Sequence, residues 1–172
     1  TATDQGPRDY QQDRFFFNDK LFVIADGMGG LSSGDKAAET VISEVSKVQN
    51  VNDETIHQAL ESASNICHAT LDKRGTTAVV AFVDDTDVLH VHWCGDSRAY
   101  VWHVDDGLKQ LTSDHGYMHY LSIYIGDTFY GGEIVKHPLK AGSVVMLTTD
   151  GIHDYLNDVS TPLRAAQALG TP

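Results

Sequence analysis

Three aspartates stand where apolar runs end or turn. Leu21–Ala25 leads into Asp26-Gly27, Val144–Leu147 leads into Thr148-Thr149-Asp150-Gly151, and Asp96 lies in the short link Gly95-Asp96-Ser97-Arg98. A carboxylate at the tip of a buried strand is held by rigid backbone, and the glycine after it lets the chain turn with its carbonyl open. Hard oxygen donors fixed in this way suit magnesium or manganese. Taken singly, an Asp-Gly pair is only a turn. Three such acids shift the balance towards a metal centre, and spacing alone stops there.

The other reactive residue types read more plainly. Cys67 falls on the apolar stripe of a predicted helix and reads as core, and Cys94 ends a predicted strand. None of the nine histidines shows metal-type spacing such as two on adjacent helix turns. His90 and His92 share a strand face and read as structural or solvent-facing. Asp84, Asp85 and Asp87 read as turn residues, and Asp114 and His115 as a turn cap. Arg8 lies in a polar N-terminal stretch, where on its own it is a surface cation.

The elements that must position these groups follow from periodicity. Arg14 to Asn18, a turn at Asn18-Asp19-Lys20 and the run Leu21–Ala25 predict a two-stranded hairpin whose second strand is buried on both faces. Ser32 and Ser33 would cap a helix carrying Ala38, Val41, Ile42, Val45 and Val48 on one stripe. Asn50 to Asp53 breaks it and caps a second helix with Ile56, Ala59, Leu60, Ala63, Cys67 and Thr70, reaching Arg74-Gly75. The period then changes to two. Thr77–Val83, Val88–Cys94 and Ala99–Val104 predict strands joined by hairpin turns at 84–87 and 95–98, hence a mainly antiparallel sheet. Leu108–Thr112, Ile134–His137 and Ser143–Thr149 add three more. Residues 113–132 read as a loop or flap, and a short amphipathic helix with Leu163, Ala166 and Leu169 starts at Thr161.

At 172 residues the chain is expected to form one domain over 1–172, large enough to bury a core without disulfides. No apolar run is long enough to span a bilayer and the N-terminus does not read as a signal peptide. Two cysteines give no disulfide framework, so a reducing cytoplasm is the simpler expectation. The formal charge of −12 makes nucleic acid and anionic membranes poor partners. It also repels a phosphorylated substrate, unless divalent ions gathered by the acids reverse the local field.

Asp26-Gly27-Met28-Gly29-Gly30, then Gly95-Asp96-Ser97-Arg98, then Thr149-Asp150-Gly151-Ile152 occur in an order that resembles the type-2C family of metal-dependent serine/threonine protein phosphatases. Arg8-Asp9-Tyr10-Gln11-Gln12-Asp13 resembles that family's opening motif, Gly75-Thr76-Thr77 the start of its central strand, and Leu111–His115 the segment before its flap. The resemblance spans Arg8 to Asp158 and is closest to bacterial members. It implies an α+β fold, a four-layer α-β-β-α sandwich of two mainly antiparallel sheets flanked by helices. It implies hydrolysis of phosphoserine and phosphothreonine in proteins by water held between two manganese or magnesium ions, with a third ion possible. Such an ion pair, about 3.5–4 Å apart, acidifies a bridging water and neutralises charge in an in-line displacement. By the same resemblance Asp26 bridges both ions, the Gly27 carbonyl and Asp150 each ligate one, Asp13 acts through a coordinated water, and Asp96 binds the looser third ion. Arg8 grips the substrate phosphate with its planar fork. A signalling role follows, with a phosphoprotein substrate and a partner serine/threonine kinase.

Two departures qualify the match. Met28 stands where eukaryotic relatives often carry a general-acid histidine, so water or a metal-bound water must protonate the leaving group. The family's closing Asp-Asn pair has no counterpart; Asn157-Asp158 is in the reverse order and follows the Asp150 motif too closely. Either this is a shortened form, or the site is one carboxylate short and a sheet edge lies open. That departure supports a second reading, a phosphatase-like regulatory or binding module with impaired catalysis. A third, a two-metal nuclease, is disfavoured by the charge.

Overall fold

The computed structural model describes residues 1, 3–6, 9–28, 34–71, 74–117, 120–126 and 131–154. It begins with a hairpin, β1 (Asp13–Phe17) and β2 (Leu21–Met28), closed by Asn18, whose Oδ1 accepts from the amides of Lys20 and Leu21. Helices α1 (Gly34–Ser46) and α2 (Asp53–Thr70) follow. Asn52 starts α2 through a capping box, in which its side chain accepts from the Thr55 amide while Thr55 Oγ1 accepts from the Asn52 amide. The expected caps Ser32 and Ser33 lie outside the described residues. The predicted stripe on α2 holds except at Thr70, which is exposed in the last turn; Ser64 is buried instead.

The remaining strands are β3 (Gly75–Thr76), β4 (Ala78–Val83), β5 (Val88–Cys94), β6 (Arg98–His103), β7 (Gly107–Gln110), β8 (Gly116–Tyr117), β9 (Tyr120–Leu121), β10 (Glu133–Pro138) and β11 (Val144–Thr148). A four-residue helix, α3 (Asp150–His153), ends the described part. One sheet has the order β1-β2-β4-β5-β10 with β3 paired to β2, a second has the order β11-β6-β7, and β8 and β9 form a small hairpin inside the predicted flap. Every strand pairing among the described residues is antiparallel.

Alternation along the strands explains the layers. Leu21, Val23 and Ala25 of β2 join Ala78, Val80 and Phe82 of β4 in a core beneath α1 and α2. Val79, Ala81, Leu89, Val91 and Trp93 point the other way and pack with Ala99 and the partly buried Val145 and Leu147 of the second sheet. The result is the expected α+β sandwich of two mainly antiparallel sheets with helices on the larger one. The helix predicted from Thr161 lies outside the described residues.

Two expectations are corrected. The second strand of the hairpin is not buried on both faces: Phe22 is exposed, and Ile24 packs against the core between the sheets but stays only partly buried, so that core covers only part of this face. The link 95–98 is not a hairpin, because β5 belongs to the large sheet and β6 to the small one. Gly95 has φ +94°, and a Cβ there would stand 2.6 Å from Thr77 Cγ2, so the chain bends at a corner and crosses between sheets.

Candidate metal centre

The register of the first hairpin sets Asp13 directly opposite Asp26. Asp150, at the start of α3 immediately after β11, comes to the same place from the second sheet. Asp13 Oδ2 accepts from Thr149 Oγ1 at 3.1 Å, so the N-terminal hairpin and the β11–α3 junction are joined next to the acids. Asp26 is only 9% exposed. Burial, reinforced by the carboxylates of Asp13 and Asp150 and by side-chain hydrogen bonds to them, pushes its carboxyl up to about 9.

The support beneath Asp26 is polar and buried. Its amide donates to Thr77 Oγ1 at 3.0 Å, and its carbonyl accepts from the Thr77 amide and from Thr76 Oγ1. Thr77 Oγ1 in turn shares a 2.7 Å hydrogen bond with Ser97 Oγ. A chain of hydroxyls therefore links the backbone of Asp26 to the corner that carries Asp96. Burial raises the Asp96 carboxyl, and the like charges of Asp150, Asp114 and Asp154 add to the rise.

Neither Asp-Gly pair is the simple turn expected from sequence. Gly27 continues β2, paired with Thr76 of β3, and Asp150 opens a helical turn. Glycine is required at 27 by proximity: a Cβ there would lie 2.1 Å from the Gly34 carbonyl oxygen at the start of α1. The helix begins in contact with the backbone beside Asp26.

The structure thus brings Asp13, Asp26 and Asp150 together, with Gly27 beside them and Asp96 within electrostatic reach of Asp150; Arg8 lies outside the described residues. The donor set suits a hard divalent cation, since it is all oxygen, anionic and crowded enough that one acid retains its proton until positive charge arrives. Among the described residues no three His, Cys, Asp or Glu side chains close into a ready-made cage, so these acids form an open cluster.

Around the cluster, other predicted roles change. His115 is not a turn cap but a buried ring stacked on Trp93, with centroids 5.7 Å apart. Asp114 receives Arg98 in a two-pronged pair at 2.9 and 2.7 Å. His90 and His92 keep the structural one of their two expected roles: both are buried and hydrogen-bond Asp53 Oδ1, at 2.8 and 2.9 Å. Asp84, besides turning the chain, reaches His90 Nε2 at 3.0 Å. Cys67 and Cys94 are buried free thiols, as expected. Thr77, Ser97 and Thr149 escaped sequence reasoning as functional residues, and the only signal for them was their place within Gly-Thr-Thr, Gly-Asp-Ser and Thr-Thr-Asp.

Residues 17–119 match the model of the protein phosphatase 2C family. The chain belongs to that family. It is 32% identical over 127 residues to the serine/threonine phosphatase stp of Listeria monocytogenes, and 30% identical over 125 residues to that of Listeria welshimeri. Each match covers 60% of this chain but 46% of the relative, so the chain matches about half the length of these proteins. The PPM Ser-Thr phosphatase MsPP of Mycobacterium smegmatis, solved with cacodylate, superposes with a TM-score of 0.82 at 22% identity, covering 99% of this chain and 84% of that one. The catalytic domain of PstP, in complex with two manganese ions, gives 0.78 at 21% identity, covering 96% and 80%. At these identities the structures speak for the fold.

Proposed function

We propose that this protein phosphatase 2C family member hydrolyses phosphoserine and phosphothreonine in proteins, using two manganese or magnesium ions held by Asp26, the Gly27 carbonyl, Asp150 and, through water, Asp13. The observation that carries this reading is the meeting of Asp13, Asp26 and Asp150 at one place on hydrogen-bonded supports. Bound there, the ions would supply an acidified water and neutralise phosphoryl charge. Asp26 must give up its proton to serve as a ligand, and the Thr76 and Thr77 contacts keep its backbone fixed while it does so. Asp13, fixed by Thr149 Oγ1, orients water on the β1 side. Arg8 binds the phosphate, and solvent protonates the departing alkoxide because Met28 has no proton to give.

The reading extends to a third ion at Asp96, to a phosphoprotein substrate paired with a serine/threonine kinase in signalling, and to a single domain over 1–172. A cytoplasmic location is supported by the two unbridged thiols. Among the described residues no helix is long and apolar enough to cross a membrane. The test is release of phosphate from a phosphothreonine peptide in manganese by the wild type and by Asp26→Asn. The substitution should lower kcat/KM by well over about a hundredfold, the upper cost of losing a mere supporting contact. Equal rates would sink the assignment; a wild type that binds the peptide without turning it over would favour the regulatory-module reading.

A further inference from the structure

The corner 95–97 that carries Asp96 is braced from one side by the segment 113–115. Trp93 Nε1 donates to the Ser113 carbonyl at 2.9 Å, and Arg98 clasps Asp114. His115 holds Gly95 at two points: its amide donates to the Gly95 carbonyl at 2.9 Å, and its Nδ1 accepts from the Gly95 amide at 3.3 Å. Acceptance at Nδ1 puts the ring proton on Nε2. That nitrogen is buried without a hydrogen-bond partner, 3.4 Å from Glu133 Oε1 of β10. The histidine side chain is 6% exposed and stacks on Trp93, so both its ring face and its Nδ1 are committed.

A corner with a positive-φ glycine has few hydrogen bonds to fix it, because it leaves one sheet before joining the other. The Gly95 amide would otherwise be an orphaned donor beside the acids. We propose that His115 is a positioning residue which, by accepting from the Gly95 amide, holds the Asp96 carboxylate in place beside Asp150 and so sets the affinity of the weaker, third cation. This rests on the reading of Asp96 as a ligand. The contact acts on Gly95 directly and reaches the Asp13, Asp26 and Asp150 cluster only through Ser97 and Thr77, so the two tighter ions should respond far less to it. A residue needed only to fill the space beside Trp93 would be replaceable by any flat ring.

The experiment is calorimetric titration of the chain with manganese, comparing wild type, His115→Phe, His115→Asn and Asp96→Asn. Phe keeps the ring stack and loses the acceptor; Asn keeps an acceptor near Nδ1 and loses the ring. His115→Phe should weaken the third binding event by about tenfold and the tighter two by far less, and His115→Asn should weaken the third by no more than about twofold. Asp96→Asn should abolish that event. Hydrogen exchange of the Gly95 amide gives a second readout, faster in His115→Phe and near wild type in His115→Asn. Should the Phe variant fail to fold, His115→Gln, whose amide reaches the Nε2 end instead, replaces it against Asn. Unchanged third-ion affinity in His115→Phe, or equal loss with Phe and Asn, overturns the inference, as does a wild type with two tight events and no third. A wild type without the tight events contradicts the proposed function itself.

Discussion

Asp26 keeps its proton to about pH 9 because it is buried between two other acids. In the unfolded chain an aspartate titrates near 3.9. A carboxyl raised in this way contributes stability that is full below the unfolded value and lost as pH rises through the folded one, so in the cation-free protein the contribution of Asp26 should decline steadily from about pH 4 to 9. A divalent ion must displace that proton. Manganese binding at pH 7 should therefore release close to one proton, measurable as a dependence of the binding heat on the ionisation enthalpy of the buffer. Asp26→Asn should remove that dependence. Proton release unchanged by the substitution would place the titrating group elsewhere.

At the scale of elements, α1 starts where it does because Gly27 and Gly34 permit backbone contact. Gly27→Ala puts a methyl 2.1 Å from a carbonyl oxygen, and since backbone cannot step aside as a side chain can, we expect a loss of about 1–3 kcal/mol, read from denaturant unfolding. Wild-type stability would show that α1 slides freely against β2. This contact also marks the limit of what was legible. The period-two run Val88–Cys94 predicts β5 with both ends correct, and the break at Asn50 to Asp53 predicts the cap of α2, because such signals are local. Whether Gly95-Asp96-Ser97-Arg98 closes a hairpin or crosses between sheets depends on Thr77 and His115, which are remote in sequence. The same holds for Gly27, whose need for a missing side chain comes from Gly34 rather than from its own backbone angles. His115 looked like a cap because nothing local shows that Trp93 lies beneath it. Asp26, Asp96 and Asp150 were legible as candidates from their strand ends and turn, and Asp13 only from the resemblance, whereas the meeting of Asp13, Asp26 and Asp150 needed the register of Asp13 against Asp26.

For the whole molecule, the charge of −12 is not spread evenly in its consequences. Away from the candidate site, Asp53 at the start of α2 ties that helix to β5 and β10 through His90, His92 and Lys136. Burial opposes its ionisation, but the donors from Lys136, His90 and His92 outweigh burial and hold the carboxyl below the usual range. Burial also lowers His92, against the pull of Asp53. Both groups are depressed, so their contributions are present above the unfolded values and lost on acidification. In Asp26→Asn, which removes the opposing titration of Asp26, thermal midpoints should begin to fall below about pH 6.5, as His92 is forced to charge, and fall faster below about pH 4, with Asp53→Asn added to it flattening the lower stage. A midpoint independent of pH between 4 and 7 would show that this network does not hold the helix to the sheet. The acids of the candidate site have a different fate, since their repulsion is relieved by the proton that Asp26 retains or by a cation that displaces it. The central claim is therefore tested most directly by phosphate release from a phosphothreonine peptide, first in excess chelator and then after manganese is restored. The account predicts no turnover in chelator and full recovery with manganese. Turnover that persists in excess chelator, or none at saturating manganese, would contradict it.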